Sequence, residues 1–442
     1  MKHISIIAAF AVLSVLTVSN TSCGIYGKYK TTVTEQEEAL VLPSYKDIFL
    51  DGQLTALIDT ALKYNPDLEI AHRRVLQADA QLTAAKLAYL PHFNLGGNPA
   101  VQLTATNSGI NSITYSFGSA DWEIDIFGRL TNRKRIAGST RDELADYEQA
   151  ARCELIAAIA TTYFNLQTLD AQIEAADSAE ANWKRSVETM KSFKISGNTD
   201  EDGVAQFEGS YYATRSSAKE LRRLKEVTLN EMRRIIGKEG VQIQWEPLRT
   251  DGTYPVNMDA VNAIDLRAVR VRPDVRAAEM QLAKAFYNVN LARANCCPSI
   301  SISGVAGWAN TGIIYNAIGG LLQPLFNSGQ NIMQVKAGKQ ALEEYKINYT
   351  KALMKAGTAV NNAIISQKSY MDQAEDKTAR IYAMARALEA SQLKMKYGRG
   401  TYLEILIAQN NLLEAQLAQI RNTGDIMIST VDLFQALGGG KQ

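Results

Sequence analysis

The sequence predicts a mainly α-helical fold with a transmembrane β part, built as a duplicated repeat of long helices. A Pro-Asp helix start is written twice, in "NPDLEIAHRR" (Asn65–Arg74) and "RPDVRAAEMQ" (Arg272–Gln281). Asp67 and Asp274 are 207 positions apart, and so are Pro91 and Pro298, where each helix pattern stops. After each stop the apolar spacing turns from helical to alternating, and then about 65 residues return to helical spacing without a proline.

The first 22 residues stand apart. Lys2 and His3 precede the apolar run "ISIIAAFAVLSVLTV", which is too short to span a bilayer, and "SNTSCG" follows. The pattern resembles a bacterial lipoprotein signal, whose cysteine becomes the acylated first residue. That position is Cys23, although Asn20 stands where the commonest pattern has Leu. The resemblance implies a signal peptide at 1–22 and an anchor segment at 23–53. An ordinary signal peptide with an incidental cysteine is the other reading. Two or three acyl chains hold a protein far better than one.

Composition narrows the classes. With 442 residues and 46% hydrophobic content the chain is ordered and has room for several domains or one extended one. A net charge of +1, with both signs dispersed, speaks against nucleic acid as a partner. Beyond the leader the cysteines are Cys153, Cys296 and Cys297, and the histidines are His72 and His92. The adjacent pair suits ordinary disulfide geometry poorly, and Cys153 is expected to pack as a small apolar residue. No metal ligand set and no cofactor are expected.

The elements follow in order. Asp67 to Pro91 and Asp274 to Pro298 read as helices, each with proline in its first turn, Asp at its positive end and a terminating proline. Between His92 and Gly128, Ile113, Tyr115 and Phe117 alternate with small polar residues; between Ser299 and Gly329, Ile300 and Ile302 alternate with serines. Each block reads as a strand pair of about ten residues per strand, which crosses a bilayer when tilted. A transmembrane helix over Gly304–Leu322 is opposed by its five glycines, two asparagines and the following Pro324.

Long helices come next. Thr131 to about Ser196 carries Leu144, Tyr147, Ala151, Leu155, Ala158, Thr162, Leu166, Leu169 and Ile173 at helical steps. Asn331 to about Met395 carries Leu342, Tyr345, Tyr349, Leu353, Ala356 and Val360. Each is roughly 100 Å long, so it must pack lengthwise against its like or against other subunits. Both end in glycine-bearing turns, "KISGNTDEDG" (Lys194–Gly203) and "KYGRGTY" (Lys396–Tyr402), followed by helices Val204–Ile236 and Leu403 to about Leu437. The repeats are therefore 54–236, with strands in 92–128, and 261–437, with strands in 299–329. Residues 237–260, with Trp245, read as a linker, and 438–442 as a tail.

At "SADWEIDIFGRLTNR" (Ser119–Arg133), Trp122, Glu123, Asp125, Phe127, Gly128 and Arg129 resemble the strand-to-helix junction of TolC-like outer-membrane efflux proteins, and most of all the lipoprotein outlets of RND (resistance-nodulation-division) pumps. "QPLFNSGQ" (Gln323–Gln330), with Pro324, Phe326 and Gly329, resembles the matching motif of that family's second repeat. "YGRGTYLEILIAQNNLLEAQ" resembles its turn into the last long helix. The likeness covers the chain from Asp51 onward. It implies a homotrimer whose subunits each give four strands to a shared β-barrel and whose helices form a periplasmic α-barrel. It further implies a lipid-anchored place in the outer membrane, a periplasmic membrane-fusion adaptor and an inner-membrane RND-type pump as partners.

The function expected is an exit duct, which needs no covalent chemistry; no triad, metal set or phosphate loop suggests an enzyme. The alternative is a lipid-anchored structural or adhesive coiled-coil protein of the cell envelope, which leaves the strand pairs and junction motifs unexplained. The resemblance places a periplasmic gate at the two turns. Glu404 falls where some members carry an aperture carboxylate, Tyr402 lies half a turn earlier, and Arg399 or a backbone donor on the neighbouring helix end is the expected partner of the carboxylate. Gly203 occupies a place where members often have Asp, so Asp200 and Asp202 are expected to supply that charge. A solvated acidic turn with good N-capping is the plainer reading of the same residues.

Overall fold

The structure is a computed structural model of the chain and describes residues 25–32, 43–106, 109–262, 265–309, 312–322 and 329–439. The leader, Cys23, Pro324 and Phe326 lie outside those residues. In chain order the elements are α1 (Tyr45–Ile48), α2 (Gly52–Tyr64), α3 (Pro66–Leu87), β1 (His92–Thr106), β2 (Gly109–Ile124), α4 (Arg129–Ile195), α5 (Glu201–Ile236) and α6 (Met258–Asn262). A 3-10 turn at Leu266–Val271 follows, then α7 (Pro273–Ala294), β3 (Ser299–Ala309), β4 (Gly312–Leu322), α8 (Gln330–Lys396) and α9 (Tyr402–Ala436).

The duplication is visible in the geometry. Helices α3 and α7 have 22 residues each and start 207 positions apart, on Pro66 and Pro273. Helices α4 and α8 have 67 residues each, and Arg129 to Gln330 and Ile195 to Lys396 are both separations of 201. The second strand segment is thus six residues shorter than the first. Strands β1 and β2 run to 15 and 16 residues, against 11 for β3 and for β4. The ten-residue expectation therefore fits the second pair and is corrected for the first. Helices α3 and α7 also stop short of their prolines. A tight turn closes each end first, Leu90 N donating to Leu87 O (2.9 Å) and Cys297 N to Ala294 O (3.0 Å).

The four strands form one antiparallel sheet in the order β1-β2-β3-β4, so each hairpin pairs with itself and β2 with β3, from Thr114 opposite Ala309 to Ile124 opposite Ile300. Among the described residues no helix is long and apolar enough to cross a membrane.

The chain divides into two compact units. The first takes described residues within 1–34, 71–148 and 273–353, which include the sheet. There α4 is tied to α3 by Arg141–Asp79 (3.1 Å) and to α7 by Lys284–Glu143 (2.6 Å) and Arg276–Asp146 (3.1 Å).

The second unit takes the rest. Its core packs Phe49 against Phe164 and Phe434, with ring centroids 6.3 and 6.0 Å apart. Asp51 caps α2 from inside this core, accepting from Gln53 N (2.8 Å) and from the Tyr163 hydroxyl (2.5 Å). Burial and that carboxylate push the Tyr163 hydroxyl up. On α4, Leu155 and Leu166 are buried as expected, but Ile156, Ile159, Ala160, Tyr163 and Phe164 carry more of the core, and Tyr147 is exposed. The linker is a packed element: Trp245 Nε1 donates to Asp170 (2.7 Å), and Asn257 N to Ile48 O (2.7 Å).

The residue before each repeat's first proline does the same work. Asn65 Nδ2 donates to Ile235 O at the end of α5 (2.7 Å), and the Arg272 guanidinium donates to Ala436 O at the end of α9. Each helix pair is thereby closed onto its own start. Cys153 is buried, and its thiol donates to Gly438 O (3.2 Å) as well as packing.

Candidate functional site

Two places hold the residues singled out from sequence. The first is the junction between β2 and α4. A helix exposes four unpaired N–H groups at its start. Asp125 takes two of them, Leu130 N (2.9 Å) and Thr131 N (2.8 Å), and accepts from the Thr131 hydroxyl as well (2.6 Å). Gly128 holds φ at 70°, a left-handed turn that a side chain would strain, and a Cβ there would meet the Tyr26 ring at 3.0 Å. Arg129 pairs with Glu123 (2.6 Å), Trp122 Nε1 donates to Tyr89 O (2.9 Å), and Phe127 is half-buried. Gly329 repeats the left-handed turn before α8, with φ 73°.

Residues 25–32 form a strap across this junction, a feature that sequence reasoning missed. The Tyr26 hydroxyl donates to Ile126 O (2.5 Å), Arg135 donates to Tyr26 O and Gly27 O (3.1 Å each), and Asn132 donates to Ile25 O (3.1 Å). Farther along, Tyr29 stacks edge-on against Phe286 at 6.0 Å, and Thr32 N and Oγ1 donate to the buried Glu279 (2.5 and 2.8 Å). Burial, then Asp125, pushes the Tyr26 hydroxyl up. No sequence signal marks a strap: eight residues with isolated tyrosines follow no period.

The second place is the pair of turns, both in the second unit. The two turns close alike. Gly197 and Gly398 take φ of 76° and 68°, and the next residue's N–H reaches back into the helix, Asn198 to Phe193 O (2.9 Å) and Arg399 to Lys394 O (2.9 Å). Gly398 is therefore matched by Gly197. Gly203 is no turn residue, because α5 starts at Glu201 and buries Gly203 in its first turn.

Thr401 caps α9, accepting from Glu404 N (3.4 Å). The partner of Glu404 is Lys394 at 3.6 Å, and not Arg399, whose backbone closes the turn instead. Asp200 sits at the N-cap position of α5 without a side-chain cap bond, and Asp202 accepts from Gln206 (3.1 Å). Among the described residues no ion pair links Lys394, the partner of Glu404, to either aspartate. What the structure brings together is Tyr402 and the first turn: it packs on a buried cluster of Trp183, Val187, Met190, Val204 and Phe207. Among the described residues no group of three or more His, Cys, Asp or Glu side chains is placed to hold a metal.

The architecture that frames these two places is a four-stranded antiparallel sheet whose strands β2 and β4 precede two 67-residue helices, α4 and α8. Residues 57–238 and 267–439 match the family model described as outer membrane efflux protein, and the chain belongs to that family. It is 25% identical over 407 residues to the cation efflux system protein CusC of Escherichia coli K12, covering 90% of this chain and 88% of that one. It is 26% identical over 422 residues to the toluene efflux pump outer membrane protein TtgC of Pseudomonas putida, covering 90% and 85%. A crystal structure of CusC superposes with a TM-score of 0.82 at 23% identity, over 94% of this chain and 99% of that chain. The chain is an outer-membrane efflux channel.

Proposed function

We propose that three copies of this chain form a closed export duct that takes substrate from a periplasmic adaptor and an inner-membrane RND-type pump. The observation that carries this reading is the sheet: β1 and β4 are its outer strands, and a sheet in lipid has to close so that no edge meets hydrocarbon. Three copies of four strands supply a closed barrel, and their helices supply mutual partners for α4 and α8, which are too long to bury a stripe alone. The repeats 54–236 and 261–437 then act as paired wall segments, with 237–260 as a packed connector.

Cys23 is the acylated first residue of the mature chain in this reading. The strap begins two residues later and fastens to the sheet–helix junction, where a lipid anchor has to lie. Mass spectrometry of the mature N-terminus checks this, and an unmodified start elsewhere overturns it. The turns at Gly197 and Gly398 form the periplasmic gate, with Glu404, Tyr402, Asp200 and Asp202 near the aperture and Lys394 compensating Glu404.

Single-channel conductance of the purified protein in a planar bilayer tests the duct. Ion-conducting events are expected, whereas a structural or adhesive coiled coil gives none. Substrate is left open by the relatives, since one is named for cations and another, at nearly equal identity, for toluene.

A further inference from the structure

Within the second unit a groove of about 630 Å³ opens between the α4–α5 hairpin and the α8–α9 hairpin, inside the range of about 300–1,000 Å³ usual for small-molecule sites. Trp183, Met190 and Phe207 wall it from the first hairpin, and Leu412 and Leu413 from the second. Its charged lining consists of Arg185 and Lys396, with no carboxylate among the lining residues. Arg185 donates to Asn182 Oδ1 (2.5 Å), and among the described residues no ion pair neutralises its charge. Gln409 donates to Ser186 Oγ (3.2 Å), while its amide oxygen is buried without a donor.

These features specify a ligand. An apolar body covers the aromatic and leucine walls, a single negative charge answers two cations, and a hydroxyl or amine donor satisfies the Gln409 oxygen. We propose that the groove binds an amphipathic organic anion carrying a hydrogen-bond donor. A molecule seated there touches both hairpins at once. It therefore favours whichever state of the hairpins keeps the walls at this separation.

The test uses the full chain in phosphatidylcholine nanodiscs with 8-anilinonaphthalene-1-sulfonate, which has an aromatic body, one N–H and one sulfonate. Saturable binding is expected, with energy transfer from tryptophan that falls in Trp183→Phe. The neutral N-phenyl-1-naphthylamine, which lacks the sulfonate, is expected to bind about tenfold more weakly, the effect of one lost charge-assisted contact. Arg185→Gln with Lys396→Gln is expected to weaken the anion by at least that factor, and Lys346→Gln, in the other unit, to leave it unchanged. Lys396 is exposed, so Lys396→Gln alone decides the matter should the double variant fail to assemble. Binding that does not saturate above that of empty nanodiscs, or that ignores both the sulfonate and the two cations, overturns the proposal. Conductance is measured on the same samples, so loss of the ligand site is distinguishable from loss of the channel.

Discussion

Gly203 lies beneath Tyr402: a Cβ at position 203 would stand 3.5 Å from Tyr402 Cζ and 2.6 Å from Thr199 Oγ1. The glycine is what lets the start of α9 approach the start of α5. Alanine gains about 1 kcal/mol in helix propensity, but overpacking of this kind costs about 1–3 kcal/mol. Gly203→Ala is therefore expected to loosen the turn by up to about 2 kcal/mol. Hydrogen exchange at residues 196–207 and 397–406 should quicken, and Thr199→Ala in the same chain should restore it. Unchanged exchange would mean that the space at Gly203 has no role.

Glu404→Gln together with Asp202→Asn removes charge from both turns. The Lys394–Glu404 pair is 3.6 Å long and its side chains are 61% and 42% exposed, so its contribution is small, about 0–1 kcal/mol before screening. Thermal stability should hardly move. A ring of three carboxylates at an aperture favours cations, so the reversal potential in a salt gradient should shift away from cation preference. If conductance and reversal potential both match wild type, the residues are a solvated turn.

Asp125 holds three donors at the start of α4. Asp125→Ala should cost about 1–2 kcal/mol, the usual range for a lost N-cap. Thr131→Val removes only the hydroxyl and should cost less. Exchange rates of the first-turn amides of α4 measure both, and an order with Thr131→Val the more damaging would contradict the capping account.

Asp425 gives a pH dependence. Its burial raises the carboxyl pKa, and Lys377 and Arg421, which lower it, do not cancel the shift. A raised carboxyl pKa means that the folded state holds its proton when the unfolded chain has lost it. The stability this contributes is present below the ordinary value of 3.8 and is lost as pH rises through the higher folded value. Asp425→Asn should flatten the slope of stability against pH above the ordinary carboxyl value of 3.8 and raise stability near pH 7. Parallel melting curves for the two proteins from pH 4 to 7 would refute it.

Much of this fold is legible because its signals are local. The two Pro-Asp starts mark α3 and α7, proline-free runs mark α4 and α8, and Asp125 and Gly128 belong to a motif whose capping role is short-range. What escaped depends on contacts between distant segments. The strap is fixed by Glu279 and Arg135, more than a hundred residues away, and nothing in its own composition announces that. "TDEDG" reads as a loop that ends on a turn glycine, yet Gly203 lies inside the first turn of α5 against Tyr402. The pairing of Glu404 with Lys394 joins the last turn of α8 to the first turn of α9, a contact that sequence order alone does not single out.

Helices α4 and α8 share a length of 67 residues while the strand segments before them differ by six. Each long helix is in effect a gauge block. Deleting one turn from α4 alone would set its closing glycine about 5.4 Å out of step, since an α-helix advances that far per turn. Tyr402 would then meet another residue than Gly203. Length changes in this protein are thus expected to come in matched pairs in the helices, and singly only in the strands, where a hairpin tip can shorten without disturbing anything that must line up.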